Sequence, residues 1–141
     1  MIFSYKKLTG GVERPIIPIV VRNPASEQSV RYLALVDSGA DECIFAGEIG
    51  ELVGLNILGG QQRIVSGVVA GERRPYYVHH IEIEVGGWRR RTAAGFMPDL
   101  APNGHGLLGQ RGFFDLFSFV KFEQPSGIIE LGAILPIREK A

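Results

Sequence analysis

Apolar residues along the chain come in short runs broken by glycine and proline, the pattern of many short strands joined by tight turns. Residues 16–21 (IIPIVV) are β-branched apart from Pro18, which cannot donate a ladder hydrogen bond and so predicts an edge strand or a bend. Asn23-Pro24-Ala25-Ser26 signals a turn, residues 32–36 return as a second strand, and Ile44-Phe45 adds a short third. Between 46 and 55, Ile49, Leu52 and Val53 share one side with Glu48 and Glu51 off it, predicting a short amphipathic helix stopped near Gly54. Residues 64–69 and 76–85 flank the polar segment 70–74 and predict a long hairpin, after which Gly86-Gly87 turns into a strand over 88–96. Beyond the loop 98–106, Phe113, Phe114 and Phe117 have helical spacing. Residues 119–122 and 128–131 then predict a last hairpin around Gln124-Pro125-Ser126-Gly127. No linker, low-complexity segment or repeat interrupts residues 1–141, so the expectation is one all-β domain, closed or sandwiched, with two small helices.

Composition changes this picture only by exclusion. The 141 residues suffice for one domain burying roughly 70% of its extended surface. Lys plus Arg equals Asp plus Glu at 15 each, so no global field recruits nucleic acid or an anionic membrane. Cys43 is the only cysteine, which rules out an intramolecular disulfide and gives no sign of an oxidising compartment. The opening residues MIFSYKKLTGG carry charge by position 6 and lack a signal-peptide apolar run, and no stretch approaches the length of a membrane span. The expectation is a soluble, cytoplasmic protein with no nucleic-acid or membrane partner.

The segment Leu33-Ala34-Leu35-Val36-Asp37-Ser38-Gly39-Ala40-Asp41 concentrates the chemistry. Apolar residues run directly into an acid, so Asp37 emerges at the end of a core strand, where an unpaired charge is costly. Ser38 can hydrogen-bond nearby backbone, and Gly39 permits a turn geometry closed to other residues. Asp-Ser-Gly is also simply a turn-prone tripeptide, and taken alone it does not decide between turn and site. A second signal is Gly106-Leu107-Leu108-Gly109, followed by Phe113-Phe114 and Phe117.

Taken in order, these features resemble the retropepsins, the single-domain aspartic proteases of retroviruses and their cellular and bacterial relatives. They are Asp-Ser-Gly-Ala after a hydrophobic strand, a glycine-bearing hairpin, and a Leu-Leu-Gly triplet leading toward a short helix. The correspondence runs from about residue 16 to 131. The resemblance implies a closed β domain with a flap hairpin and one or two short helices. It also implies a homodimeric endopeptidase acting on extended, hydrophobic-flanked peptides without a cofactor or metal. It makes Asp37 the catalytic carboxylate and Ser38 a hydroxyl that hydrogen-bonds across the dimer. Gly39 becomes a carbonyl that receives substrate backbone, with Ala40 and Asp41 beside it. Leu107 belongs to the triplet whose strand crosses behind the loop, and Val68, Val69, Ala70 and Gly71 fall in the flap. With one such Asp per chain, two must meet and share a proton, one ionised as base for water and the other polarising the scissile carbonyl.

Two departures stand out. Retroviral members carry Arg directly after the triplet glycine, bracing the acid that corresponds to Asp41; here that place holds Gln110, with Arg111 one further on. Ser38 also replaces a common Thr, keeping the hydroxyl but losing a methyl worth about 1 kcal/mol of packing. The other-class alternative is a non-catalytic peptide-binding or scaffolding domain on the same fold.

Four rival signals are weaker. Residues 104–109 satisfy G-x-G-x-x-G, but Pro98-Asp99-Leu100-Ala101-Pro102-Asn103 precedes them instead of a strand, and too little chain follows for a doubly wound sheet. His80, Glu82 and Glu84 alternate on one strand face, where divergence favours a solvated face over a metal shell. His79 and His105 show no identifiable partner in the sequence. Cys43 reads better as a buried apolar residue than as a nucleophile. Arg89-Arg90-Arg91 and Arg73-Arg74 read as solvated hairpin edges rather than a phosphate patch.

Overall fold

The longest strand of the protein holds the fold together. In the computed structural model, which describes residues 1–66, 73–101 and 104–137, this strand is β8 (Arg73–Val85). It follows β1 (Ile2–Ser4), β2 (Lys6–Lys7), β3 (Glu13–Arg14), β4 (Ile16–Arg22), β5 (Ser29–Val36), β6 (Ile44–Ala46), α1 (Gly47–Leu52) and β7 (Gln61–Ser66). After it come β9 (Trp88–Met97), β10 (Gly106–Leu108), β11 (Val120–Glu123) and β12 (Ile128–Leu131).

The main sheet runs β4-β5-β10-β6-β9-β8-β7, and β8 pairs back onto β4 through Val20↔Glu84, Val21↔Ile83 and Arg22↔Glu82. One edge of β8 therefore serves β7 first and β4 later, while its other edge pairs with β9 from Tyr77 to Val85. The sheet closes on itself through β4 and β8, which leaves β7, paired among the described residues with β8 alone, as its free edge. Pro18 lies in the half of β4 that has β5 as its neighbour but not β8, where a missing N–H costs no ladder bond on that side.

Alternation fills the interior. Ile17, Ile19 and Val21 point inward from β4, and Ile81, Ile83 and Val85 from β8, meeting Phe45, Phe96 and Leu108. Each such side chain contributes about 1.5–3 kcal/mol of burial. Tyr32 lies edge-on to Phe45, and its hydroxyl accepts from the Ala46 N–H at 3.2 Å. Glu82 and Glu84 on the outward face pair with Arg22 and Arg89. His79 has a partner the sequence did not reveal, the Ile57 carbonyl at 2.8 Å. At 86–87 both glycines have positive φ, 54° and 85°, which a two-residue hairpin turn requires.

Several sequence expectations need correction. The helix forms, with Gly54 at φ 84° ending it, but Leu52 is 57% exposed rather than on the buried side. Gly50 packs so closely against Ile57 and Phe96 that the buried face runs Ile49–Gly50–Val53, which turns Leu52 outward. The helical spacing of Phe113, Phe114 and Phe117 yields only a 3₁₀ turn at Phe114–Leu116. Gly112 at φ 101° and extended Phe117 bound it, and the spacing serves instead to bring the Phe113 and Phe117 rings together, tilted at 58° with centroids 5.1 Å apart. The last hairpin acquires a third strand absent from the sequence reading: β1 pairs with β12, beside β11.

Candidate active site

Asp37 is the first residue after β5, and the chain around it is laced to β10 and the residues that follow. β10 lies between β5 and β6, parallel to the first and antiparallel to the second, with Leu107 opposite both Leu35 and Ile44. The Asp37 N–H donates to the Leu108 carbonyl at 3.0 Å, the Gln110 N–H to Ala40 O at 2.9 Å and the Arg111 N–H to Asp41 O at 2.9 Å. The Gln110 side-chain amide adds a bond to the Ser38 carbonyl at 2.9 Å. The turn itself closes with the Ala40 N–H on the Asp37 carbonyl at 3.2 Å. Gly109 makes this lacing possible, because a Cβ there would overlap the backbone of Ala40 and Glu42.

The Asp37 carboxylate is half-buried and accepts the Gly39 N–H at 2.9 Å. Among the described residues no ion pair involves it. Ser38 and Gly39 are exposed beside it, Ala40 is half-buried and Asp41 is exposed. Leu107 packs behind the loop against Ile44, Tyr76 and Met97. Asp37 through Asp41 and Leu107 are thus brought together, whereas Val68, Val69, Ala70 and Gly71 lie outside the described residues. The reason for Gly39 differs from the one the sequence suggested. Its φ is not in the left-handed region; instead, a Cβ at this position would sit 3.3 Å from Asp37 Oδ1.

The brace after Leu-Leu-Gly exists, moved by one residue on both sides. Glu42 and Arg111 form a parallel bridge, and Arg111 Nη2 lies 3.1 Å from Glu42 Oε1, while Asp41 is left to solvent. Residues directly opposite on neighbouring strands share a face, so shifting acid and arginine together preserves their pairing. Glu42 also receives Arg63 Nη1, and the Tyr76 hydroxyl donates to its second oxygen at 3.0 Å. Burial, reinforced by this hydrogen bond to Glu42, pushes the Tyr76 hydroxyl above its ordinary pKa. Sequence reasoning missed Glu42, Arg63 and Tyr76, and the one available signal was an acid set against the apolar run Cys43-Ile44-Phe45.

A cavity of about 650 Å³ opens beside this cluster, lined by Glu42, Arg63, Arg91, Arg111 and Asp115 among others, and Asp37 does not line it. Cys43 is 1% exposed and burial pushes its thiol up to about 12, the opposite of a nucleophile's activation. Of the G-x-G-x-x-G glycines, Gly106 opens strand β10 rather than a helix, so no dipole end faces a phosphate there. Among the described residues no group of three metal-ligating side chains forms, and no helix is long and apolar enough to cross a membrane.

An all-β barrel in which one acid-bearing strand-to-loop junction is threaded by a Leu-Leu-Gly strand defines the retropepsin-like fold class. A retropepsin-like aspartic protease from Rickettsia conorii superposes with a TM-score of 0.63 at 14% identity, over 93% of this chain and 89% of that one. EIAV protease complexed with the inhibitor HBY-793 aligns with a TM-score of 0.46 at 14% identity, over 72% of this chain and 86% of that one. A profile of the aspartyl protease family matches residues 24–111, and the chain belongs to that family. No curated protein matches the chain.

Proposed function

We propose that this chain is an endopeptidase that works as a homodimer, each copy giving Asp37 to a shared pair. The observation that carries this reading is the presentation of Asp37. Its strand is buried on one face through Tyr32, Ala34 and Val36, its loop is held by backbone bonds to β10 and beyond, and among the described residues its carboxylate takes one hydrogen bond, from Gly39. An acid held this firmly and left this unpaired is suited to exchange protons with water rather than to hold the fold together.

Two Asp37 carboxylates brought together on a two-fold axis would hold one proton between them, because ionising both at close range is costly. The ionised member takes a proton from the attacking water while the other polarises the peptide carbonyl. Ser38 faces the second copy, and Gly39, Ala40 and Asp41 offer backbone to an extended peptide in strand fashion. The two-stranded β7–β8 element, paired from Arg63↔Tyr76 to Ser66↔Arg73, would offer strand edges to the same peptide. The substrate is an extended peptide with large apolar residues flanking the cleaved bond, as the resemblance implies.

The test combines mass and turnover. Purified protein is incubated with peptides bearing large apolar residues on either side of one bond, while sedimentation follows its mass over the same concentration range. Activity should fall faster than linearly as the dimer dissociates, and Asp37→Asn should abolish it with the fold intact. Turnover by Asp37→Asn would remove the assignment. A monomer that binds such peptides without cutting them would instead make this a peptide-binding module.

A further inference from the structure

Glu42 stands out from the other acids of the chain because its side chain is only 12% exposed yet engages three partners on three segments. Two of these, Arg63 and Tyr76, are direct cross-strand partners in the β7–β8 ladder. Their rung has a particular place. The partnership of β8 with β9 begins at Tyr77↔Phe96, so from Tyr76 back to Arg73 strand β8 pairs with β7 alone. Arg63 and Tyr76 therefore mark the root at which a two-stranded arm leaves the barrel, and one carboxylate grips both strands of it. Gly95 admits the Tyr76 ring at this point, since a Cβ there would overlap it.

The third partner ties the same carboxylate to the Asp37 loop. Arg111 follows Gln110, whose backbone and side chain hold Ala40 and Ser38. Glu42 itself ends the segment that begins at Asp37. A largely buried carboxylate with two guanidiniums is a poor device for raw stability, because the cost of desolvating the charges offsets much of their attraction. Its stronger effect is geometric, since guanidinium–carboxylate and hydroxyl–carboxylate bonds fix direction as well as distance.

We propose that Glu42 is a positioning residue that locks the root of the β7–β8 arm to the loop bearing Asp37, so that arm and catalytic carboxylate hold one fixed relation. This rests on the endopeptidase reading. The arm would grip a peptide by strand-like bonds while Asp37 works at its carbonyl. An error between the two would misplace the scissile bond, and a displacement of about 1 Å can cost on the order of 100-fold in rate.

The experiment compares wild type, Glu42→Gln, Arg63→Gln and the double variant, with kcat and KM expressed per folded dimer. Amide hydrogen exchange is followed in β7, in the first half of β8 and in residues 37–42. Glu42→Gln removes the charge that both arginines share; Arg63→Gln alters a 39% exposed side chain and leaves the interior alone, so it folds even where the first does not. Expected is a fall in kcat of at least about tenfold in each single variant, with the double no worse than the weaker single, and faster exchange in arm root and loop together. Wild-type kcat and KM per folded dimer in both single variants would overturn the proposal, as would additive losses. If the wild-type chain cleaves no peptide, the endopeptidase reading fails separately and the exchange arm still decides the coupling. Faster exchange in both segments upholds it, and a change confined to one segment or absent from both overturns it.

Discussion

A single methyl group added at Gly109 tests whether the loop carrying Asp37 is held by the strand behind it. The Cβ of Gly109→Ala would lie 2.7 Å from the Ala40 carbonyl oxygen and 2.6 Å from the Glu42 carbonyl carbon, with Glu42 O closer still. All three are backbone atoms, so no side-chain rotation relieves the overlap. Reaching ordinary contact requires the 40–42 segment to move by roughly 0.5–1 Å. That movement strains the bonds from Gln110 N–H to Ala40 O and from Arg111 N–H to Asp41 O, both 2.9 Å. Two net hydrogen bonds at about 1 kcal/mol each, with overpacking of about 1–3 kcal/mol, give a loss of about 2–5 kcal/mol. For a chain of this size the melting temperature should fall by roughly 6–20 °C. Peptide turnover per folded molecule should fall on the order of 100-fold, because Asp37 moves with its loop. Gly39→Ala is the natural contrast. Its Cβ would press on Asp37 Oδ1 at 3.3 Å, a side-chain atom that can rotate away, and Gly39 is exposed. Stability should then stay within about 0.5 kcal/mol while kcat falls about tenfold through the displaced carboxylate. Thermal melts and single-substrate kinetics on the two variants decide the matter. A Gly109→Ala protein that melts within about 2 °C of wild type and cleaves at the wild-type rate would refute the reasoning.

Two further outcomes follow from the site and from Cys43. The rate against pH at saturating dimer should be bell-shaped, since one proton too many removes the base and one too few the acid; a profile governed by a single group near the histidine range would instead direct attention to His79, His80 or His105. Burial raises the Cys43 thiol from 9.0 to about 12, so its protonated form is favoured by folding. The unfolded chain loses this proton first as pH rises, so the Cys43 contribution is complete below about pH 9 and weakens by about 1.4 kcal/mol per pH unit up to about 12. Denaturant titrations of wild type and Cys43→Ala at pH 8, 9.5 and 11 should therefore converge as pH rises, and parallel curves would contradict the burial argument.

What the sequence determined by itself was local. The β-branched runs, the Gly86-Gly87 turn, the helix stop at Gly54 and the acid at the end of an apolar strand all follow from side-chain periodicity and from glycine and proline chemistry within a few residues, although β5 proves buried on one face only, with Leu33 exposed. The same locality placed Asp37, Ser38, Gly39, Ala40 and Asp41 on one loop. It did not place Leu107 behind that loop; the ordered resemblance implied this, and in the structure Leu107 pairs with Leu35 of β5. Only the tertiary structure decided the rest. Closure depends on β8 serving β7 and β4 in turn along one edge, a register that no window of sequence encodes. The third strand of the terminal sheet pairs Ile2 with Glu130, and the Glu42 cluster collects Arg63, Tyr76 and Arg111 from three segments far apart in the chain. Gly39 and Gly109 show the same division at single residues. Sequence marks them as permissive, but the atoms that exclude a side chain are an oxygen of Asp37 and the backbone of Ala40 and Glu42, and those arrive only when the chain folds.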